Sequence, residues 1–198
     1  MLLDIVILPS VHLSRILVRS VQRANRDIRP VYVVGTGGLF YHSSLFHFNV
    51  SSKRLPQVES TVKSLAAGLP RLKLVGRRVR YDGDGVWLEF LPPPALVRFK
   101  NSIVQSLAPL RQGPMPYTSS YPLTPLRRFY RQRFGVHYNM GRFFKPHFTL
   151  AKYKSLTDTK AVSLRLKHFK PSFFVNTLAV TEVNRYHQVT RIIKRFRV

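Results

Sequence analysis

The chain has 198 residues, enough for one domain or for two small lobes around a shared core. Its 44% hydrophobic and 12% aromatic content excludes a disordered basic tail, and its lack of cysteine excludes disulfides and thiolate chemistry. With 33 Lys and Arg against 8 Asp and Glu, the formal net charge is +25, so we expect a polyanionic partner such as RNA or a nucleotide.

The opening residues, MLLDIVILP, are apolar but do not predict a signal peptide, because Asp4 interrupts them and no basic segment precedes them. Residues 4–8 instead predict a buried central strand that ends at Pro9. No run in the sequence reaches the roughly 18 apolar residues needed to span a bilayer. We therefore expect a soluble, cytoplasmic monomer without a membrane partner.

Helical and strand patterns then alternate. Ser10 predicts the cap of a helix whose apolar face comprises Leu13, Ile16, Leu17, Val21 and Ala24. Two β-rich runs follow on either side of a glycine turn at residues 35–38. These glycines do not fit a dinucleotide-binding loop, since a strand rather than a helix follows them. Residues 55–68 predict a weaker helix.

The middle of the chain predicts a hairpin, a helix and a long loop. Residues 71–90 alternate on both sides of the turn Asp82-Gly83-Asp84-Gly85, which is typical of a hairpin. A helical apolar face follows over residues 95–108. Five prolines within residues 109–126 predict a loop, and the basic stretch 127–134 predicts a short helix that ends at Gly135.

The remaining residues predict a strand at HFTL, a helix near residues 157–168 and a final hairpin. The strands of that hairpin are expected at residues 172–183 and 188–197. Helices and hairpins therefore interleave along the chain, which predicts an α+β or mixed α/β domain built of two layers.

Two short motifs carry the chemistry. His42 and Ser44 stand two residues apart in HSSL, and His147 and Thr149 do so in HFTL, 105 residues later. Residues two apart on a strand share a face. Two facing imidazoles can act as general base and general acid at phosphorus, while the hydroxyls donate to the non-bridging oxygens. This chemistry needs neither a metal ion nor a cofactor.

The doubled His-x-Ser/Thr-Leu motif, its spacing and the terminal hairpin after the last helix resemble the 2H phosphoesterase superfamily, nearest to the bacterial 2′–5′ RNA ligase-like and cyclic phosphodiesterase group. The resemblance covers nearly the whole chain. It implies one bilobal α+β domain over residues 1–198, with two pseudo-symmetric lobes of mostly antiparallel sheet. In that fold the helices pack outside and the two motifs face each other across a central cleft.

The resemblance also implies roles. It makes His42 and His147 the acid–base pair and Ser44 and Thr149 the phosphate ligands, with His147 favoured as base in hydrolysis. The implied reaction opens a 2′,3′-cyclic phosphate of RNA to a 2′-phosphate, or acts on a 2′–5′ phosphodiester. The alternatives are a 2′–5′ RNA ligase and a basic RNA-binding protein that keeps the fold without turnover.

A second register exists in the first motif, since His47 and Asn49 in HFNV are also two residues apart. We prefer His42, because its hydroxyl partner and following leucine match the second motif. In a regular strand His42 and His47, an odd number apart, would lie on opposite faces.

Other basic side chains are weaker candidates. Lys152, expected on the face of Thr149 in a regular strand, and Arg142 just upstream are candidate phosphate contacts. The basic cluster at residues 127–134 could bind an RNA backbone, or it could simply form a solvated helix face. The remaining histidines are expected at the surface or half-buried: His12, His137, His168 and His187. Because the chain has no cysteine, we do not expect a zinc site.

Overall fold

The computed structural model describes residues 1–115, 122–136, 140–184 and 186–198. The strands are β1 (Leu2–Ile7), β2 (Tyr32–Val33), β3 (Ser43–Asn49), β4 (Lys73–Asp82), β5 (Gly85–Leu91), β6 (His147–Lys152), β7 (Ser172–Phe174), β8 (Thr177–Val183) and β9 (Val189–Arg197). The α-helices are α1 (Val11–Ala24), α2 (Leu55–Ala67), α3 (Pro94–Leu107), α4 (Pro125–Phe134) and α5 (Leu156–Arg165).

Two antiparallel sheets form the framework. A four-stranded sheet has the order β3-β1-β8-β9, and a five-stranded sheet has the order β2-β6-β5-β4-β7. Helices α2 and α3 pack on the first sheet, whereas α1 and α5 pack on the second. The sheets meet where β3 contacts β6, the two strands that carry the motifs. The α+β architecture of two sheets with outer helices, expected from the resemblance, is confirmed.

Local sequence explains the helix ends. The Ser10 side chain accepts a hydrogen bond from the Leu13 amide and so caps α1, whose predicted face is buried at Leu13, Leu17 and Val21. Helix α4 ends at Gly135, which has a φ of 83° and closes the helix in the left-handed conformation. Within the predicted 109–126 loop, residues 116–121 lie outside the described part of the chain.

The predicted strand 172–183 is wrong as a single strand. It divides at Val175 and Asn176 into β7, which pairs with β4, and β8, which pairs with β1 in the other sheet. Phe173 and Leu178 are both buried on either side of this division. The crossing point contains no glycine or proline, and its polar residues, Asn176 and Thr177, also occur within strands, so the local sequence does not reveal the division.

The first motif strand contains a β-bulge at its leucine. Ile5 of β1 pairs with Phe46, and the next residue, Val6, pairs with Ser44, so Leu45 has no partner of its own. A bulge inserts one extra residue and thereby reverses the alternation of faces beyond it. Leu45 and Phe46 are consequently both buried in the main core.

The second motif strand repeats this bulge at the equivalent position. Trp87 of β5 pairs with Thr149, and its neighbour Val86 pairs with Ala151, which leaves Leu150 as the extra residue. The leucine of each motif is therefore the bulged residue of its strand. This shared irregularity extends the pseudo-symmetry of the two motifs from sequence to backbone geometry.

The backbone packing of β4 gives a stability test at Gly76. A β-carbon at this position would lie 2.7 Å from the Pro171 oxygen and 2.9 Å from the Lys170 carbonyl carbon. We expect Gly76→Ala to lower the free energy of unfolding by about 1–3 kcal/mol, the usual range for overpacking. Urea denaturation measures this change.

The matched control is Gly68→Ala. A β-carbon there meets only the Leu65 oxygen at 3.6 Å, an ordinary contact, and the φ of Gly68 is −92°. Its free energy of unfolding should stay within about 0.5 kcal/mol of the parent. Equal effects of the two substitutions would contradict the close approach of residues 170–171 to β4.

Candidate active site

The two motif histidines are anchored in the same way. Nδ1 of His42 lies 2.9 Å from the carbonyl oxygen of Phe40, and Nδ1 of His147 lies 2.8 Å from that of Lys145. A carbonyl oxygen only accepts, so Nδ1 carries the proton in each ring. Each neutral imidazole therefore keeps its lone pair on Nε2, the atom left for proton transfer.

The histidines also act on each other through charge. His42 is buried just before β3, with 5% of its surface exposed, and His147 is half-buried at the start of β6. His42 is one of the groups that lower the pKa of His147. Residues 105 positions apart in sequence thus lie within electrostatic reach of each other.

The bulge at Leu45 changes the expected position of His47. It brings His42, Ser44 and His47 to one face of the four-stranded sheet, so the expectation of opposite faces is wrong. His47 Nε2 lies 3.0 Å from Oδ2 of Asp4, its cross-strand partner in β1. His47 is therefore a neighbour of His42 on the same face, in addition to being the alternative motif histidine.

The bulge at Leu150 has the equivalent effect on Lys152. A regular strand would place Lys152 and Thr149, three residues apart, on opposite faces, and the extra residue brings them to the same one. Lys152 Nζ lies 2.8 Å from Oδ2 of Asp84. Lys152 thus shares the face of Thr149 as expected, but for a reason that a regular strand does not provide.

These contacts extend the repeat beyond the predicted motif. Each lobe carries a basic side chain five residues after the motif histidine, and an aspartate pairs with it, as His47 with Asp4 and Lys152 with Asp84. Neither aspartate is predicted from the sequence motifs. The basic residues with which they pair were detectable, because the longer segments HSSLFH and HFTLAK both end in a basic residue.

Opposing influences set the proton affinity of His42. Burial lowers the pKa of His42, while the charge of Asp4 and the Phe40 carbonyl raise it, and the net shift is downward. Burial alone would raise the pKa of Asp4, but the charge and hydrogen bond of His47, the charge of His42 and the hydrogen bond of Ser44 together leave that pKa below its usual value. The Asp4 carboxylate therefore stabilises charged imidazole beside it.

His147 has a different electrostatic environment. Burial lowers its pKa, the Lys145 carbonyl raises it, and the charges of His42 and Arg80 lower it further. The guanidinium of Arg80 stacks 4.6 Å from the Trp87 ring, which is itself 5.2 Å from the His147 ring. His147 thus lies near the cation Arg80 and near Glu89, whose charge raises the pKa of His147, whereas the carboxylate near His42 is that of Asp4.

Arg80 rather than Arg142 is the arginine that acts on His147 through its charge. Arg142 lies over the ring of Phe143, 5.4 Å from its centroid, in the turn before β6. Arg80 and Arg78 both pair with Glu89, which is buried and lies opposite His147 in the sheet. The sequence analysis missed Arg80, although alternation along the β4–β5 hairpin puts it on the polar face.

The turn between β8 and β9 contacts both lobes. The His187 ring meets the His47 ring edge-on at 4.9 Å, and Lys152 Nζ lies 5.2 Å from the Tyr186 ring. Burial and the charge of His47 lower the pKa of His187 to about 4. The predicted half-buried position of His187 is confirmed, but the residue belongs to the surroundings of the site.

Two other histidines lie at the surface as expected. His12 and His168 are exposed, and His137 lies outside the described residues. Within the described ranges, no group of three or more His, Asp or Glu side chains is arranged to hold a metal ion. None of the helices in those ranges is long and apolar enough to cross a membrane.

A cavity of about 760 Å³ lies beside the first motif. Its walls are α1, the end of the four-stranded sheet and residues 35–41, and Arg15, Arg19 and Arg195 line it. Residues 35–38 form the predicted turn, with positive φ at three glycines: Gly35, Gly37 and Gly38. The four motif side chains are not part of this lining.

No protein-family profile and no curated protein sequence matches the chain. Solved structures do match. The protein TT0787 of Thermus thermophilus is 14% identical, with a TM-score of 0.62, over 100% of this chain and 97% of its own. The chain has the 2H phosphoesterase fold.

Two further solved structures are similar to this chain over nearly their whole length. E. coli LigT complexed with NADP⁺ is 18% identical, with a TM-score of 0.58, over 99% of this chain and 96% of LigT. A crystal structure described as a phosphoesterase is 17% identical, with a TM-score of 0.57, over 100% of this chain and 98% of its own. The resemblance found in the motifs is thus confirmed at the level of the fold.

The contact between Asp4 and the first motif gives a test by titration. Because a carboxylate stabilises the charged imidazole, Asp4→Asn should lower the pKa of His42. Histidine NMR titration measures this pKa directly. Asp84→Asn is the matched control, since it removes the aspartate of the other lobe. An unchanged His42 pKa in Asp4→Asn, or an equal decrease in both variants, would contradict the assigned role of Asp4.

Proposed function

We propose that the protein is a metal-independent RNA phosphoesterase that opens 2′,3′-cyclic phosphates to 2′-phosphates. The observation that carries the proposal is the doubled anchoring of His42 and His147. Both rings hold their proton on Nδ1 against a carbonyl two residues upstream, and we assign the proton transfer to Nε2 of each ring. Opening a cyclic phosphate requires one group to accept a proton and a second to supply one.

In the proposed reaction, Nε2 of neutral His147 accepts a proton from water as the water oxygen attacks phosphorus. The bond between phosphorus and O3′ breaks, and Nε2 of protonated His42 donates its proton to O3′. The products are a 2′-phosphate and a free 3′-hydroxyl. Charge and atoms balance, because His147 gains the proton that the water loses and His42 loses the proton that O3′ gains.

The local charges support this division of roles. Burial and the charges of His42 and Arg80 lower the pKa of His147 by more than the Lys145 carbonyl and Glu89 raise it, which favours the neutral base. Asp4 favours the protonated form of His42, as a general acid requires. Substrate binding adds a phosphodiester anion between the rings, and this charge further stabilises an imidazolium there.

The hydroxyl and ammonium groups of the motifs would hold the phosphate. Thr149 and Lys152 share one face of β6, so both can reach the same non-bridging oxygens. Ser44 hydrogen-bonds to Asp4 in the free protein and would turn towards the phosphate by rotation about its single side-chain torsion. Lys152 remains paired with Asp84 and supplies only part of its charge.

Charge and fold favour a nucleic-acid substrate. The formal charge of +25 attracts polyanions through counterion release. E. coli LigT, which has this fold, has been crystallised with NADP⁺, 3′-AMP, phosphate and ATP. We extend that nucleotide binding to this chain and choose an RNA end, with a 2′–5′ phosphodiester as the second linkage to test.

Hydrolysis of nucleoside 2′,3′-cyclic phosphates in EDTA tests the proposal. His42→Ala and His147→Ala should each lower kcat/KM by about 10²–10⁴-fold, the usual contribution of a general acid or base. The control variants are His12→Ala and His168→Ala, which change exposed histidines and should retain activity. Product analysis should find the 2′-phosphate.

Three results would contradict the proposal. Activity that survives both motif substitutions removes the histidines from the chemistry. Activity that EDTA abolishes and a divalent ion restores indicates a metal enzyme. No turnover by the parent protein, together with salt-dependent RNA affinity unchanged by either substitution, indicates a non-catalytic RNA-binding protein.

A further inference from the structure

An exposed aromatic side chain on the short strand β7 has two cations near its ring. Phe174 is 41% exposed, with the guanidinium of Arg71 at 4.1 Å and the ammonium of Lys73 at 5.9 Å from its ring centroid. The neighbouring Phe173 is buried in the core, so the hydrophobic core does not need Phe174. An aromatic ring beside cations is the arrangement with which proteins stack unpaired bases.

Strand register puts Phe174 on the same face of the five-stranded sheet as His147. Three cross-strand pairs connect them: His147 with Glu89, Leu91 with Val75, and Lys73 with Phe174. Successive pairs are linked by residues two apart on one strand, Glu89 and Leu91 on β5 and Val75 and Lys73 on β4, so all six share one face. The path through these pairs crosses three strand spacings of about 4.8 Å and moves about four residues of about 3.3 Å along the strands. Because these two displacements are perpendicular, the straight-line distance is about 20 Å.

The surface between these residues is apolar and exposed. Leu91 is 49% exposed and Val75 is 42% exposed, and the two are direct cross-strand partners. The one carboxylate on the path, Glu89, is buried beneath Arg78 and Arg80. The path is therefore an apolar strip with a cationic border, and it offers no exposed acidic group that would repel phosphate.

Charge complementarity selects the occupant. A protein partner would have to match a chain of formal charge +25, whereas single-stranded nucleic acid supplies both a phosphate backbone for the cations and unpaired bases for the apolar strip. At about 3.4 Å per stacked nucleotide, a path of about 20 Å corresponds to about six nucleotides, and to fewer in an extended strand.

We propose that Phe174, Val75 and Leu91, bordered by Arg71 and Lys73, form a stacking platform for bases of single-stranded RNA. The RNA is the strand whose 3′-terminal phosphate occupies the space between His42 and His147. This inference rests on the proposed function. It adds that the physiological substrate is an RNA chain several nucleotides long, and that a mononucleotide leaves the platform empty.

Two substrates separate the platform from the chemistry: a nucleoside 2′,3′-cyclic phosphate and a decaribonucleotide that ends in the same cyclic phosphate. Phe174→Ala should lower kcat/KM for the decaribonucleotide about tenfold, the loss expected for one stacked base. It should leave kcat/KM for the nucleoside cyclic phosphate unchanged. Phe174→Trp keeps an aromatic face and should retain parental kcat/KM on both substrates.

The matched control is Tyr81→Ala. Tyr81 is also a partly exposed aromatic on β4, but its cross-strand partner is the buried Val86, so it belongs to the opposite face of the sheet. This variant should not discriminate between the two substrates. An equal loss on both substrates in Phe174→Ala, or no loss on either, would overturn the platform.

The platform is also testable if the proposed chemistry fails. When the parent protein turns over neither substrate, fluorescence polarisation with a labelled decaribonucleotide replaces the kinetics. Weaker binding by Phe174→Ala, restored by Phe174→Trp, then supports the platform while the phosphoesterase proposal falls. Equal affinity of the parent protein and Phe174→Ala overturns the platform whether or not the protein is an enzyme.

Discussion

The hydrogen bond from Nδ1 to the carbonyl two residues upstream is the contact on which the proposed site depends. It occurs at His42 and again at His147, with lengths of 2.9 and 2.8 Å. Because it fixes which ring nitrogen carries the proton, it directs Nε2 of both rings to the same task. Without it, nothing would fix which nitrogen of each ring carries the proton.

Backbone irregularity provides the rest of the arrangement. The bulges at Leu45 and Leu150 bring a basic side chain onto the face of each motif, and an aspartate pairs with it. The lobes are nevertheless unequal, because Asp4 is fully buried and Asp84 is exposed. A buried carboxylate acts on its neighbours through a low dielectric, whereas an exposed one is screened by water. The pseudo-symmetric fold therefore gives the two histidines different electrostatic surroundings.

Patterns set by local sequence could be predicted. The cap at Ser10 and the buried face of α1 follow from spacing alone, and both are present. The β4–β5 hairpin is also present as expected, with one register shift between Gly76 and Arg78. The doubled His-x-Ser/Thr-Leu motif indicated the fold through its resemblance to the 2H phosphoesterases, and its two copies lie on strands that meet.

Features set by pairing between distant strands could not be predicted. A bulge depends on how the motif strand pairs with β1 or β5, and the sequences HSSL and HFTL carry no information about that pairing. The predicted face of His47 was therefore wrong. The division of residues 172–183 between two sheets depends on which neighbour each half meets. The hairpin pattern puts Arg80 on the face of Trp87, but only the pairing of β5 with the distant β6 brings His147 alongside.

The central claim is that one phosphate-sized anion contacts both imidazoles. Its most direct test is a histidine ¹⁵N NMR titration of the protein with a nucleoside 2′-monophosphate, the product of the proposed reaction. The account predicts that the Nε2 signals of His42 and His147 shift together, with one dissociation constant, while the signal of exposed His12 stays fixed. A titration in which only one of the two rings responds, or in which each follows its own binding curve, would contradict a shared site.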